Sequence, residues 1–252
     1  MQLSRSSFSF LEYGFIFFSS IFLCCAQQPE SVPPIIPEPL NFDLVRGLGA
    51  KKGELEINTL VDIPLGNFDS RHVEWAPEIE YALFDGFALE FELPMSDFKP
   101  EALKFAAQWT IDSSFKSFIH GLQMISESGI NYRSTELSLL YLPAYRFNEV
   151  WSAIGLFGAM IEFGSDAPKD NLTILLNASV FANLSDKIVV GLELNNTDVT
   201  SQVLDTNQMS LLLLPQVHYE FNNEYSLQLG IGPRFVESDA DSSAVFRLIR
   251  TF

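Results

Sequence analysis

Residues 74–94 read "EWAPEIEYALFDGFALEFELP", and their alternation decides the fold. Trp75, Ile79, Tyr81 and Leu83 share one parity, while Glu74, Glu78 and Glu80 take the other. Beyond "FDG", Phe87, Leu89, Phe91 and Leu93 alternate with Glu90 and Glu92. A period of two marks strands with one apolar and one wet face. Across a three-residue turn the flanking residues pair and face the same side, so Leu83 and Phe87 both fall on the apolar face.

The pattern extends in both directions. In "ELEINTLVDI", residues 54–63, Leu55, Ile57, Thr59, Val61 and Ile63 alternate with Glu54, Glu56, Asn58, Leu60 and Asp62. Twelve strands are predicted, near 54–63, 73–83, 87–94, 103–111, 117–125, 135–147, 151–163, 172–184, 188–195, 209–221, 225–235 and 243–252. The fifth, "KSFIHGLQMI", has no consistent apolar parity. These lengths suit tilted strands crossing a bilayer.

The connections sharpen the reading. "FDG", "NEV", "SDK" and "NNE" have three residues each, and their flanks (Leu83 with Phe87, Phe147 with Trp151, Leu184 with Ile188, Phe221 with Tyr225) all keep the apolar parity. Between them stand longer polar stretches: "PLGNFDSRH", "MSDFKPEA", "SESGINYRS", "GSDAPKDN", "NTDVTSQVLDTNQ" and "VESDADS". Short turns alternating with long loops and an even strand number describe an antiparallel up-and-down transmembrane β-barrel of the bacterial outer membrane. A soluble β-sandwich, the competing all-β architecture, does not require that asymmetry. Trp75, Trp109 and Trp151 fall on the predicted lipid face, and Tyr145, Phe147, Phe221 and Tyr225 cluster beside short turns as an aromatic girdle would.

The last residues, "SSAVFRLIRTF", form a strand rather than a tail, with Ala244, Phe246, Leu248, Arg250 and Phe252 on one face. Pairing of this strand with the first would close the sheet, so that no backbone edge meets lipid. Phe246, Leu248 and Phe252 resemble the C-terminal signature read by the barrel-assembly machinery, with Arg250 standing where an apolar residue is usual.

At the other end, Arg5 and the apolar run "YGFIFFSSIFL" precede "CCAQQ", which predicts a signal peptide over 1–26; a lipoprotein site at Cys24 or Cys25 is the alternative. The Pro-rich 27–53 reads as an extended periplasmic segment, and 54–252 as the barrel. A net charge of −17, without any cluster of Lys or Arg, excludes a nucleic-acid partner. The expected partners are membrane lipid, lipopolysaccharide, the barrel-assembly machinery and an unidentified small solute, with no cofactor or metal.

The opposite parity would face the lumen: Glu54, Glu56, Asp62, Glu74, Glu78, Glu80, Glu90, Glu92, Glu136, Glu162, Glu193 and Glu220 against Lys104, Arg146, Arg234 and Arg247. In an open bore, such a wall raises cation concentration and repels anions, which predicts a channel for cationic or neutral small solutes. Alternatively, these carboxylates merely hydrate a polar interior. Leu140, Leu142, Ile154, Leu156, Met160, Leu212 and Leu214 also point inward, so the wall needs an apolar inner partner. That partner is either a hydrophobic ligand path or a plug formed by "QQPESVPPIIPEPLNF".

The hairpin 74–94, together with "LPQVHYEFNNEYSLQLGIGPRF" at 214–235, resembles those of outer-membrane transporters of the "MetA-pathway of phenol degradation" family. The resemblance implies passage of small molecules and supplies no catalytic residues. Catalysis would need a nucleophile, a base and an orienting group. His72 near Asp69 and Ser70 is the only local grouping, His120 and His218 are scattered, and no enzyme is predicted. A structural or surface-binding barrel is the remaining alternative, with Glu237, Asp239 and Asp241 as acidic loop residues lacking a full calcium-loop spacing. The sequons at Asn171, Asn177, Asn183 and Asn195 are read as chance.

Overall fold

Alternation of the inward and outward side chains closes into a sheet with no free edge. The computed structural model describes residues 35–41, 44–66, 72–111, 117–131, 133–165, 167, 172–196, 210–236 and 239–252. The predicted signal peptide, Cys24, Cys25, Asp69, Ser70, Asn171 and Glu237 lie outside these residues, and only the backbone of Asp239 is described. The strands are β1 (Leu55–Pro64), β2 (Glu74–Phe84), β3 (Phe87–Glu92), β4 (Met95–Ser96), β5 (Lys99–Pro100), β6 (Ala102–Ile111), β7 (Phe118–Gly129), β8 (Ser134–Arg146), β9 (Trp151–Gly164), β10 (Leu172–Asn183), β11 (Ile188–Asn195), β12 (Ser210–Glu220), β13 (Tyr225–Val236) and β14 (Asp239–Thr251). Twelve of them form the barrel, each antiparallel to its sequence neighbour in the wall, while β4 and β5 make a small ladder on β2.

Closure comes from β1 and β14, which pair from Glu56↔Thr251 to Pro64↔Ser243. The Phe252 N–H adds a bond to the Leu55 carbonyl at 2.9 Å. Arg250, on the outer face, lies over the rings of Phe252 and Tyr225, at 4.2 Å and 5.3 Å from their centroids. An arginine is accommodated there because its stem covers apolar surface while its planar head stacks on aromatic faces beside the short turns.

Exposed Phe105, Trp109, Leu139, Ile174, Leu176 and Ile231 belong to an apolar belt around the outside. A belt of that extent marks a surface that meets lipid. Of the aromatics predicted for a girdle, Trp109, Trp151, Phe221 and Tyr225 are exposed and Trp75, Tyr145 and Phe147 half-buried. Trp75 donates to the Thr59 hydroxyl, and its ring meets Phe98 edge-on at 5.6 Å.

Three of the short turns share one device. Asn148 Oδ1 accepts from the N–H groups of Val150 and Trp151, and Asn222 Oδ1 from those of Glu224 and Tyr225. Ser185 Oγ does the same for Lys187 and Ile188. Short polar side chains of this kind stand in for a backbone acceptor in a turn. Replacing Asn222 by Ala removes two such bonds and is expected to cost about 1–2 kcal/mol of barrel stability, read from the urea unfolding midpoint.

The first turn departs from expectation. Phe84, not Leu83, pairs with Phe87, because a bulge lies between Ala82 and Phe84 and the turn is Asp85–Gly86. Gly86 has φ +77°, a conformation that disfavours a side chain.

Among the long connections, "MSDFKPEA" folds as a tight hairpin around Asp97 and Phe98, both at positive φ. β13 and β14 likewise pair as far as Val236↔Asp239. Backbone pairing thus outlasts the apolar alternation, since it needs only N–H and C=O groups and polar side chains suffice above the lipid belt.

Candidate functional site

The barrel interior is filled by the chain's own residues 35–50, of which 42 and 43 are not described. Leu40, Leu44 and Val45 are 0–2 % exposed. Ile36, Leu44, Val45 and Ala50 join Leu140, Leu142, Ile154, Leu156 and Phe181 in one cluster, with Leu48 and Met160 packed against it. Leu40 joins Leu60, Leu212, Leu214 and Val245 in a second. The inward apolar wall therefore meets an apolar inner partner, and the segment read as an extended periplasmic linker is inside the barrel over the described residues from Ile36 to Ala50, with Ile35 and Lys51–Gly53 exposed. Pro37 and Pro39 keep the chain extended and remove two N–H groups that would otherwise need partners.

Wall side chains satisfy the segment's backbone. Glu193 Oε2 accepts the N–H groups of Leu40 and Asn41 at 3.0 and 3.2 Å. Asn195 Nδ2 donates to the Asn41 carbonyl at 2.9 Å, and Gln108 Nε2 to that of Arg46 at 2.7 Å. Gln123 Oε1 accepts from Val45 at 3.1 Å, and Thr110 Oγ1 from Gly49 at 2.9 Å. Nearer the start of the segment, Gln228 Nε2 donates to the Glu38 carbonyl and Arg146 to that of Ile35.

Charge is matched at both ends of the segment. The Arg46 guanidinium lies 3.4 Å from Glu54, 3.3 Å from Glu56 and 3.8 Å from Glu80. Glu38 meets Arg247 at 3.3 Å. Burial pushes the Glu38 carboxyl up from 4.5 to about 7, with Arg247 pulling the other way and losing.

A carboxyl raised in the docked state keeps its proton where the released segment has lost it, so docking weakens as pH rises from about 5 through 7. Proteolysis of the segment at Arg46 is therefore expected to quicken over that window, and Glu38→Gln to flatten the profile.

Strand register lines up a carboxylate belt. Glu78 pairs with Glu92, Glu92 with Lys104, Lys104 with Glu127, Glu127 with Glu136 and Glu136 with Glu162, crossing six adjacent strands of the wall. A second row sets Glu56 opposite Glu80 and Glu80 opposite Glu90. Like charges directly opposite each other are unfavourable by up to about 1 kcal/mol per pair. Lys104 offsets part of this, with Nζ on Glu92 and 3.6 Å from Glu90. Further along, Arg234 pairs with Asp62 at 2.8 Å. Glu78, Glu90 and Glu92 bring carboxylate oxygens within 4.8 Å of one another.

The HAEPLYID-like family matches residues 36–251. The chain belongs to that family.

No curated protein matches this HAEPLYID-like chain in sequence. Among solved structures, it is similar to the COG4313 outer membrane channel from Pseudomonas putida F1, with a TM-score of 0.61 at 12% identity, covering 87% of this chain and 100% of that one. The KdgM porin aligns with a TM-score of 0.58 at 11% identity, over 78% of this chain and 99% of that one. The NanC porin gives a TM-score of 0.56 at 8% identity, over 78% and 98%. The HAEPLYID-like barrel thus has the fold of outer-membrane barrels. The match is to the HAEPLYID-like family and does not confirm the phenol-degradation family that its hairpins resemble.

Of the HAEPLYID-like chain's sequence-predicted lumen residues, Glu56, Asp62, Glu78, Glu80, Glu90, Glu92, Glu136, Glu162, Glu193, Lys104, Arg234 and Arg247 are buried. Glu54, Glu74 and Arg146 are half-buried, and Glu220 is exposed at the end of β12. Sequence reasoning missed Glu127, because strand β7 turns Ile119, Gly121, Gln123 and Ile125 inward ahead of it and so blurs its parity. It also missed Glu38 and Arg46, which lie in no periodic pattern.

His72 Nδ1 meets Asp97 at 2.5 Å on an exposed rim, while His218 is buried against Gln216. Asn177 accepts from the Asn196 N–H inside the wall, and Asn195 holds Asn41, so both sequon side chains have internal duties.

Proposed function

We propose that this barrel is an outer-membrane channel for small molecules, closed at rest by residues 35–50, with an acid-lined wall favouring cationic or neutral solutes. One observation carries the reading. The bore is filled by a single segment that belongs to no strand, while the wall behind it holds ten buried carboxylates against buried Lys104, Arg234 and Arg247 among the described residues. A wall built only for packing would take apolar residues here, because buried charges cost free energy even when paired. The KdgM and NanC porins and the COG4313 channel, all of similar fold, support the same direction.

Lipid would cover the apolar belt, lipopolysaccharide the outer rim, and the barrel-assembly machinery would read Phe246, Leu248 and Phe252 on β14. The filled bore also fits a structural barrel without transport, and the test separates the two. Purified mature chain is placed in a planar bilayer under a salt gradient. Cation-selective steps are expected, with the reversal potential falling by about half in Glu136→Gln/Glu162→Gln. An inserted but silent barrel at every pH and voltage would favour the structural reading.

A further inference from the structure

We infer that the wall around residues 35–50 is a binding site for an extended peptide carrying a guanidinium side chain, and that the chain's own segment is a tethered occupant of it. The inference deepens the channel reading and rests on it, by naming the solute class.

Recognition is directed at peptide groups. Glu193, Asn195, Gln123, Gln108 and Thr110 each bond a backbone N–H or C=O of the segment, on both donor and acceptor sides. A filler needs only apolar contact, whereas alternating acceptors and donors along an extended chain read any peptide and set its register. These side chains reach in from β6, β7 and β11, so the contacts are spread around the bore.

One side-chain seat is specific. The Arg46 guanidinium is surrounded by Glu54, Glu56 and Glu80 at 3.3–3.8 Å. A planar group with five donors suits several carboxylates at once better than a point charge does. Leu40 fills a second seat: a Cβ on Gly230 would stand 2.8 Å from Leu214 Cγ and 3.0 Å from Leu40 Cδ2, so the bare glycine leaves room for the wall leucine and the segment leucine together.

The occupant is separable from its site. The wall closes through its own strand pairings, and the segment joins β1 through exposed Lys51, Lys52 and Gly53 and half-buried Glu54, with Lys52 and Gly53 bonded to Asp85 and Ala82 at the β2–β3 turn. While tethered, the segment outcompetes any free peptide, because its effective concentration is on the order of millimolar. Cutting the tether removes that advantage.

The refolded mature chain, cut at Lys51 or Lys52 by a lysine-specific endopeptidase that spares Arg46, is incubated with a fluorescent peptide of sequence "IIPEPLNFDLVRGLGA", residues 35–50. Saturable exchange into the heat-modifiable barrel is expected. A copy with Arg46→Ala, and a copy N-methylated at Leu40, Asn41 and Val45, should each compete at least about tenfold less well. The uncut double variant Leu40→Asp/Leu44→Asp, which loosens the segment in place, repeats the measurement without a protease. Absence of exchange in both preparations, or equal competition by all three peptides, overturns the inference. A cut barrel that conducts yet ignores the peptides leaves the channel reading standing without it. One that exchanges peptide but passes no current upholds the site and removes the channel.

Discussion

Leu40→Asp/Leu44→Asp is expected to turn a closed barrel into an open one, with mean conductance in a planar bilayer rising at least about tenfold. Leu40 and Leu44 are almost wholly buried, and each sits in a different apolar cluster. Burying a leucine contributes roughly 1.5–3 kcal/mol, and placing an unpaired carboxylate there costs several more. The segment has no strand pairing to hold it once those seats are lost. The wall keeps its own hydrogen bonds throughout, from β1 to β14, so heat-modifiable migration on a gel should be unchanged. A folded double variant that conducts no better than the parent would show that the segment is not what closes the bore.

Lys104→Met is expected to destabilise the barrel by about 3–5 kcal/mol, the usual consequence of removing one partner from a buried ionic group. Lys104 lies opposite both Glu92 and Glu127 in register, touches Glu92 and stands near Glu90. Methionine retains the apolar stem and removes the charge, leaving five glutamates in the row from β2 to β9 with no base among them. Adding Glu92→Gln should recover half or more of the loss, since the repulsion it relieves is the one that Lys104 offset. The urea unfolding midpoints of the two single variants and the double give the coupling directly. A loss below about 1 kcal/mol would mean that water screens these carboxylates as it does at a surface.

How well the sequence was read differed by level. In β12, Leu212, Leu214, Gln216 and His218 are buried in turn, as period-two parity alone predicts. β7 resisted the same treatment because its first two inward residues, Ile119 and Gly121, are not polar. A Cβ at that glycine would meet the Trp109 carbonyl of β6 at 2.8 Å and Leu48 of the inner segment at 2.9 Å. Its inward face answers to the segment, so neither parity looked wet. The turn after β2 was misplaced by one residue, since a bulge changes which residues oppose each other without changing composition.

The sequence by itself determined the twelve barrel strands, the two faces of all but β7, three short turns and closure of the last strand on the first. Each of these follows from alternation or turn chemistry within a few residues. Only the tertiary structure decided what fills the bore and which charges meet. Leu40, Asn41 and Val45 find their partners 78–153 residues away in the chain. The Glu127–Glu136–Glu162 row exists only once three strands are in register. An extended segment rich in proline looks the same as a linker until a wall with matching donors, acceptors and apolar seats closes around it, because its own residues carry no periodic signal of that burial.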